Sequence, residues 1–213
     1  MHVIWKAIRD FVRRADMVLL SLCVAASIFG IVVISSATNY RGSAQYVRIQ
    51  ILALILGVTL YVLFTLIDVD IIAERRELLL IFSIAFILLL IPFGDTRSGN
   101  RSWLDFSFLP FSIQPAELCK IPFILVLAKT MSIRQNKISH ISTVMRLAVI
   151  TLFLFALIIV CSEDLGVALQ YLCIFVIMAF VGGVNIFWFL GAFGAVVAVS
   201  PFLWRYLSAD RQN

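Results

Sequence analysis

Three polar residues recur at every third position where an otherwise apolar run begins: Gln114, Glu117 and Lys120. In a helix that spacing places all three on one face. Glu117 precedes Lys120 at i,i+3, an order and spacing that favour an intrahelical ion pair. A charge inside an apolar span costs roughly 2.5–3.5 kcal/mol on insertion scales, so each charge needs a partner or a purpose. Two readings stand. One is a structural pair, or a lysine snorkelling towards the interface. The other is a polar cavity open to the outer leaflet, in which these groups meet an anionic or polar substrate. Asp164, next to Glu163 at the start of a later helix, can serve as a helix cap or line the same cavity.

A second polar stretch lies just upstream. Gly99 and Asn100 offer turn geometry, Arg97 and Arg101 bring positive charge, and Trp103 brings an interfacial ring. Arginine pairs well with phosphate oxygens, so a surface for phosphate or sugar competes with a plain connector anchored by an aromatic residue. His2 and His140 read as solvated. The chain has no H-E-x-x-H, G-x-S-x-G or phosphate-loop pattern and no metal-spaced cluster. No metal ligand and no cofactor are evident, and a divalent cation is left open.

The elements that position these residues follow from composition. With 62% hydrophobic and 14% charged residues and a mean hydropathy of +1.07, the chain reads as an integral membrane protein. A span needs about 20 apolar residues, and the apolar runs predict an all-α polytopic helical bundle of about seven transmembrane helices. The expected spans are 17–40, 47–67, 78–94, 114–131, 145–161, 165–182 and 186–204. The last two divide 40 uncharged residues, about 60 Å of helix and too long for one crossing, at Gly182, Gly183 and Asn185. Pro115 falls in a first turn, where its missing N–H is harmless, whereas Pro122 should kink its helix and free a carbonyl.

Residues 1–16 read as a basic amphipathic segment on the cytoplasmic surface. With the N-terminus inside, ten Lys and Arg fall on inner segments and six on outer ones, which favours that orientation. The net charge of +5 then speaks to topology and membrane lipids, and no nucleic-acid surface is indicated. The four cysteines, Cys23, Cys119, Cys161 and Cys173, read as small buried residues.

Three ordered motifs carry a resemblance: SGNRSWL at 98–104, QPAELCK at 114–120 and EDLG at 163–166. They resemble the SEDS family (RodA/FtsW/SpoVE), which reads G-x-R-x-W-[IL], then Q-P-S-E-x-x-K, then P-D-L-G, and the overall tone is nearest its RodA branch. The resemblance implies a peptidoglycan glycosyltransferase of the cell elongation and shape machinery. Such an enzyme is a multi-pass protein of the bacterial inner membrane that polymerises lipid II, an undecaprenyl-diphosphate-linked disaccharide, beside a class B penicillin-binding protein. By position it makes Gln114, Glu117, Lys120 and Asp164 the substrate cavity, and Arg97, Asn100, Arg101 and Trp103 the loop near the lipid headgroup. It also implies a fold of about ten helices whose catalytic aspartate sits in an outer loop after the seventh. Residues 205–213 would then only begin that loop, the chain would be a C-terminally truncated form, and no catalytic residue is assigned within it. Ala116, Glu163 and Val167 depart from the family's Ser, Pro and Thr. The alternative is a non-catalytic membrane subunit that binds lipid II, moves lipid-linked precursor across the membrane, or acts as a scaffold.

Overall fold

The computed structural model describes residues 11–12, 15–39, 45–97, 99–106, 111–191 and 194. Most of the basic segment 1–16, most of the expected seventh span and all of 205–213 lie outside the described residues. The protein is a polytopic, predominantly helical membrane fold. Among the described residues four helices are long and apolar enough to cross a bilayer: Met17–Thr38, Gln45–Leu66, Arg76–Phe93 and Ile141–Ser162. The helix Leu165–Val181 is apolar but shorter.

The chain divides into two compact units. The first holds residues 1–74 and 106–111, with helices α1 (Met17–Asn39), α2 (Gln45–Leu66) and α3 (Val69–Glu74). Helix α1 has 23 residues, about 34 Å of rise, which matches a hydrocarbon core of about 30 Å. Asp16 caps it: its Oδ1 accepts the Leu19 N–H at 2.9 Å, and its carbonyl accepts the Tyr61 hydroxyl at 3.1 Å. No residue of α2 is buried, as expected for a helix whose apolar surface faces lipid. An apolar groove of about 370 Å³ runs between α1 and α2, lined by Leu20, Val24, Leu54 and Gly57 among others.

The second unit, 75–105 with 112–213, carries every candidate site residue. It comprises α4 (Arg76–Leu88), α5 (Leu90–Phe93), strands β1 (Gly94–Arg97) and β2 (Asn100–Leu104), α6 (Pro115–Leu118), α7 (Lys120–Ile133), α8 (Ile141–Ser162) and α9 (Leu165–Val181). Its core is Ile87, Leu90, Phe123, Leu127, Leu154 and Tyr171, all essentially without exposed surface. Phe123 and Tyr171 pack with ring centroids 4.8 Å apart. Lipid-facing positions such as Val160, Ile177 and Val181 are exposed. Cys119 and Cys161 are buried as expected, whereas Cys23 and Cys173 are exposed. All-apolar helices give a small residue no signal about which side meets lipid.

Two breaks in the helices have identifiable causes. Proline at 122 has no N–H for the Leu118 carbonyl, so the expected 114–131 helix divides at Cys119 (φ −68°, ψ −10°) into α6 and α7. Pro115 occupies the first turn of α6 as expected. The second break joins α8 to α9 with only Glu163 and Asp164 between them: Glu163 ends α8 in the left-handed region (φ 56°, ψ 22°), and Asp164 begins α9 as its N-cap. A proline is locked near φ −65° and cannot adopt the Glu163 backbone. The family's Pro at this position is therefore incompatible with the joint seen here. At the far end of α9, Gly183 has φ +88°, and the Val184 N–H returns to the Ala179 carbonyl at 2.9 Å, a glycine-terminated helix end.

Left-handed backbone costs a residue with a Cβ about 1 kcal/mol relative to glycine. Glu163→Gly is accordingly expected to stabilise the fold by ~0.5–1 kcal/mol, read as a raised thermal midpoint in detergent. Glu163→Pro should lower that midpoint. A proline variant as stable as the parent would show that the αL joint is not required.

Candidate functional site

The 95–113 stretch, expected as an irregular loop, starts as a β-hairpin. Strands β1 and β2 pair antiparallel with Arg97 opposite Asn100, Asp95 opposite Trp103 and Gly94 opposite Leu104, the register shifting between Asp95 and Arg97. Gly99 closes the turn at φ +90°, a conformation open to glycine without strain. The chain then folds back: Leu104 and Ile113 exchange backbone hydrogen bonds of 2.7 and 2.9 Å, which delivers Gln114 to the start of α6.

Alternation along β2 buries Ser102 and Leu104 and leaves Asn100, Arg101 and Trp103 partly exposed. Buried Ser102 Oγ lies 2.7 Å from Ser162 Oγ and donates to the Ser162 carbonyl at 3.1 Å. This contact ties the hairpin to the end of α8, one residue before the Glu163–Asp164 joint. Gly94 is needed for close packing, because a Cβ there would collide with the Leu90 carbonyl oxygen and Arg101 Cγ.

The two arginines of the hairpin are in different states. Arg97 donates from Nε to Asp95 at 3.1 Å and from an Nη to Asp105 at 2.6 Å, and its guanidinium carbon sits 5.6 Å from the Trp103 ring centroid. Its pKa is raised by Asp95 and then Asp105. Arg101 is half-buried. Among the described residues it forms no ion pair, and its buried Nε has no hydrogen-bond partner. Of the two, Arg101 is the cation left available to an anion.

Helices α6 and α7 lie beside α9. Gln114, at the N-cap position of α6, donates from Nε2 to Asp164 Oδ2 at 3.3 Å. Asp164 Oδ1 accepts the Val167 N–H at 3.0 Å, so the capping role expected for Asp164 and its place in the polar cluster are both present. One turn further, Lys120 Nζ donates to Glu117 Oε2 at 2.7 Å. The Lys120 side chain is 16% exposed and that of Glu117 45%, so the cation is the sheltered partner. Lys120 also donates to Gln170 Oε1 on α9. The buried Tyr171 hydroxyl donates to the Ala116 carbonyl at 2.7 Å, a carbonyl close to the Pro122-induced break.

Gln114 and Asp164 thus form one polar pair and Glu117, Lys120 and Gln170 a second polar group along the same helices, and Arg97, Asn100, Arg101 and Trp103 share the hairpin. The sequence reading missed five participants: Gln170, Ser102 and Ser162, which meet each other, and the Asp95 and Asp105 carboxylates that hold Arg97. Among the described residues no group of three or more His, Cys, Asp or Glu is arranged to hold a metal ion.

The family model FTSW_RODA_SPOVE, described as "Cell cycle protein", matches residues 15–213. The chain is 31% identical over 204 residues to Stage V sporulation protein E of Bacillus subtilis, covering 91% of this chain and 54% of that protein. It is 35% identical over 185 residues to Peptidoglycan glycosyltransferase RodA of Treponema pallidum, covering 84% and 40%. The crystal structure of the Thermus thermophilus rod shape determining protein RodA superposes with a TM-score of 0.68 at 28% identity, covering 84% of this chain and 58% of that one. The chain spans about half the length of the curated relatives it matches.

The hairpin's charges give a pH prediction. The Asp105 carboxyl is held below its ordinary value of 3.8, first by the Ser112 hydroxyl and then by Arg97. A depressed folded pKa means that the contribution is fully present above the unfolded value and is lost as pH falls through the folded one. Hydrogen exchange of the hairpin amides, corrected for intrinsic rates, should therefore be flat above the ordinary carboxyl value of 3.8 and rise only below it.

Proposed function

The chain belongs to the FtsW/RodA/SpoVE family of cell cycle proteins, and from that premise we propose that it forms the substrate-binding wall of a peptidoglycan glycosyltransferase acting on lipid II. The ligand's undecaprenyl tail lies in the membrane and its diphosphate meets the hairpin end of the second unit. Phosphate oxygens suit an ammonium as a point charge and a guanidinium as a fork of donors. Lys120 and the unpaired Arg101 supply one of each. Arg97 holds the hairpin in shape and keeps Trp103 in place at the headgroup level.

The observation that carries this reading is that polar contacts join three separated stretches, 94–104, 114–120 and 162–170, within the second unit. The engagement of both carboxylates supports a binding role. Glu117 is paired with Lys120, and Asp164 caps α9 while accepting from Gln114. The resemblance gives the chemical step to an aspartate in an outer loop after the seventh helix. The proposal further holds that the protein sits in the bacterial inner membrane with its N-terminus in the cytoplasm and the hairpin outside, and that it works beside a class B penicillin-binding protein.

Binding of lipid II to the purified chain in nanodiscs, followed by native mass spectrometry, tests the reading. Loss of a charge-assisted phosphate contact worth ~1.5 kcal/mol corresponds to about tenfold in affinity, so Lys120→Ala and Arg101→Ala should each weaken binding by about that factor. Arg97→Ala should weaken it by less than about threefold, because Arg97 is already shared between two carboxylates. Equal loss from Arg97→Ala and Arg101→Ala, or no binding by the parent chain, would contradict the proposal. Adding the class B partner and scoring glycan strands separates polymerisation from the alternative of binding or transport alone.

A further inference from the structure

Two polar contacts cross between α6–α7 and α9 at the same sequence offset. Gln114 meets Asp164 and, six residues further along each chain segment, Lys120 meets Gln170. Equal advance on both sides means that the two segments run parallel in register, with the contacts about 9 Å apart along the axes. Each contact joins one neutral amide to one charged group, and the amide changes sides between them. Gln170 is the only member that sits well inside an apolar helix, sixth in α9, among Ala168, Leu169, Tyr171 and Leu172. It is also exposed on the surface of this apolar helix. A polar amide at such a place needs a reason.

We propose that Gln170 is a positioning residue for Lys120, fixing the ammonium so that one of its N–H donors is reserved for an anionic oxygen of the ligand. An ammonium has three donors. Among the described residues two are used, one by Glu117 Oε2 and one by Gln170 Oε1, which leaves the third. A lysine held by Glu117 alone, its neighbour three residues back across the α6–α7 break, keeps rotation about its long stem. An acceptor on a second helix removes that freedom and draws the ammonium across to α9. Gln170 does this without adding charge. With Glu117 and Lys120 cancelling, the group remains neutral and does not repel a diphosphate, as a glutamate at the same position would. The identity of the ligand rests on the function proposed above; the holding of Lys120 does not.

The test separates the two. The full chain in detergent is treated with a small amine-acylating reagent, and the modification rate of Lys120 is followed by peptide mass spectrometry, with Lys129 and Lys137 as internal controls. Gln170→Leu, an apolar change at an exposed position of an apolar helix, is expected to raise the Lys120 rate on the order of tenfold, as loss of a hydrogen bond to a charged group implies, with the controls unchanged. Gln170→Glu keeps an acceptor and should leave Lys120 no more reactive than in the parent. Undecaprenyl diphosphate in nanodiscs is the ligand probe: Gln170→Leu should bind it about fivefold more weakly, and Gln170→Glu should also bind more weakly although its Lys120 is still held. An unchanged Lys120 rate in Gln170→Leu overturns the proposal, as does equal acceleration in Gln170→Glu. Failure of the parent chain to bind the probe, with the reactivity pattern as expected, would instead overturn the ligand assignment and leave the holding of Lys120 in place.

Discussion

An ammonium within an apolar helix must be compensated from inside the protein, and the polar architecture of the second unit is arranged around that requirement. Lys120 is compensated twice, by Glu117 on its own face and by Gln170 on α9. Both contacts depend on how the backbone is broken around them. Pro122 divides the helix at Cys119, which leaves Glu117 on the short α6 and Lys120 at the start of α7. The Tyr171 hydroxyl donates to the Ala116 carbonyl just before that break, a polar contact made within the protein. Isolated, any of these groups would be expensive; together they form a satisfied polar seam between two helices packed over Phe123 and Tyr171.

The hairpin extends that seam beyond the helix ends. It is held from below by Ser102 against Ser162 and from the side by the Leu104–Ile113 bridge. Ser162 leads directly into the Glu163–Asp164 joint, so the segment that anchors the hairpin also places the Asp164 cap beside Gln114. Within the hairpin the charges divide the work. Arg97, shared by Asp95 and Asp105 and lying over Trp103, maintains shape, whereas Arg101 forms no ion pair among the described residues. The half of a family fold represented here therefore holds two cations in different states, a half-buried Arg101 on the hairpin and a sheltered Lys120 paired with Glu117.

Much of this was legible in the sequence because it is local. A three-residue period reports a shared helix face, so the Gln114–Glu117–Lys120 row and its ion pair could be read directly, as could the consequences of Pro115 and Pro122 and the glycine end of α9. The ordered motifs made the family readable as well. What escaped was through-space. Gln170 lies 50 residues from Lys120 inside an uncharged apolar run, and its spacing of six from Asp164 was the available signal. The hairpin was hidden by charge density, although Gly99 flanked by the alternating Ser102 and Leu104 is a strand-and-turn pattern. That Arg97 is held by two carboxylates while Arg101 forms no ion pair among the described residues depends on the hairpin's geometry, which residue types do not encode. The left-handed Glu163 is opposite to what the family's proline would suggest, and only the backbone reveals it.

The central claim is that the hairpin end of the second unit faces the diphosphate of a polyprenyl-linked sugar. Photo-crosslinking tests this most directly, using an undecaprenyl-diphosphate-linked disaccharide with a diazirine beside the diphosphate, reconstituted with the chain in vesicles and mapped by peptide mass spectrometry. The account predicts adducts concentrated in residues 94–105 and 114–120. Adducts concentrated instead around Lys129 to Arg146, at the opposite end of α7 and α8, would contradict it.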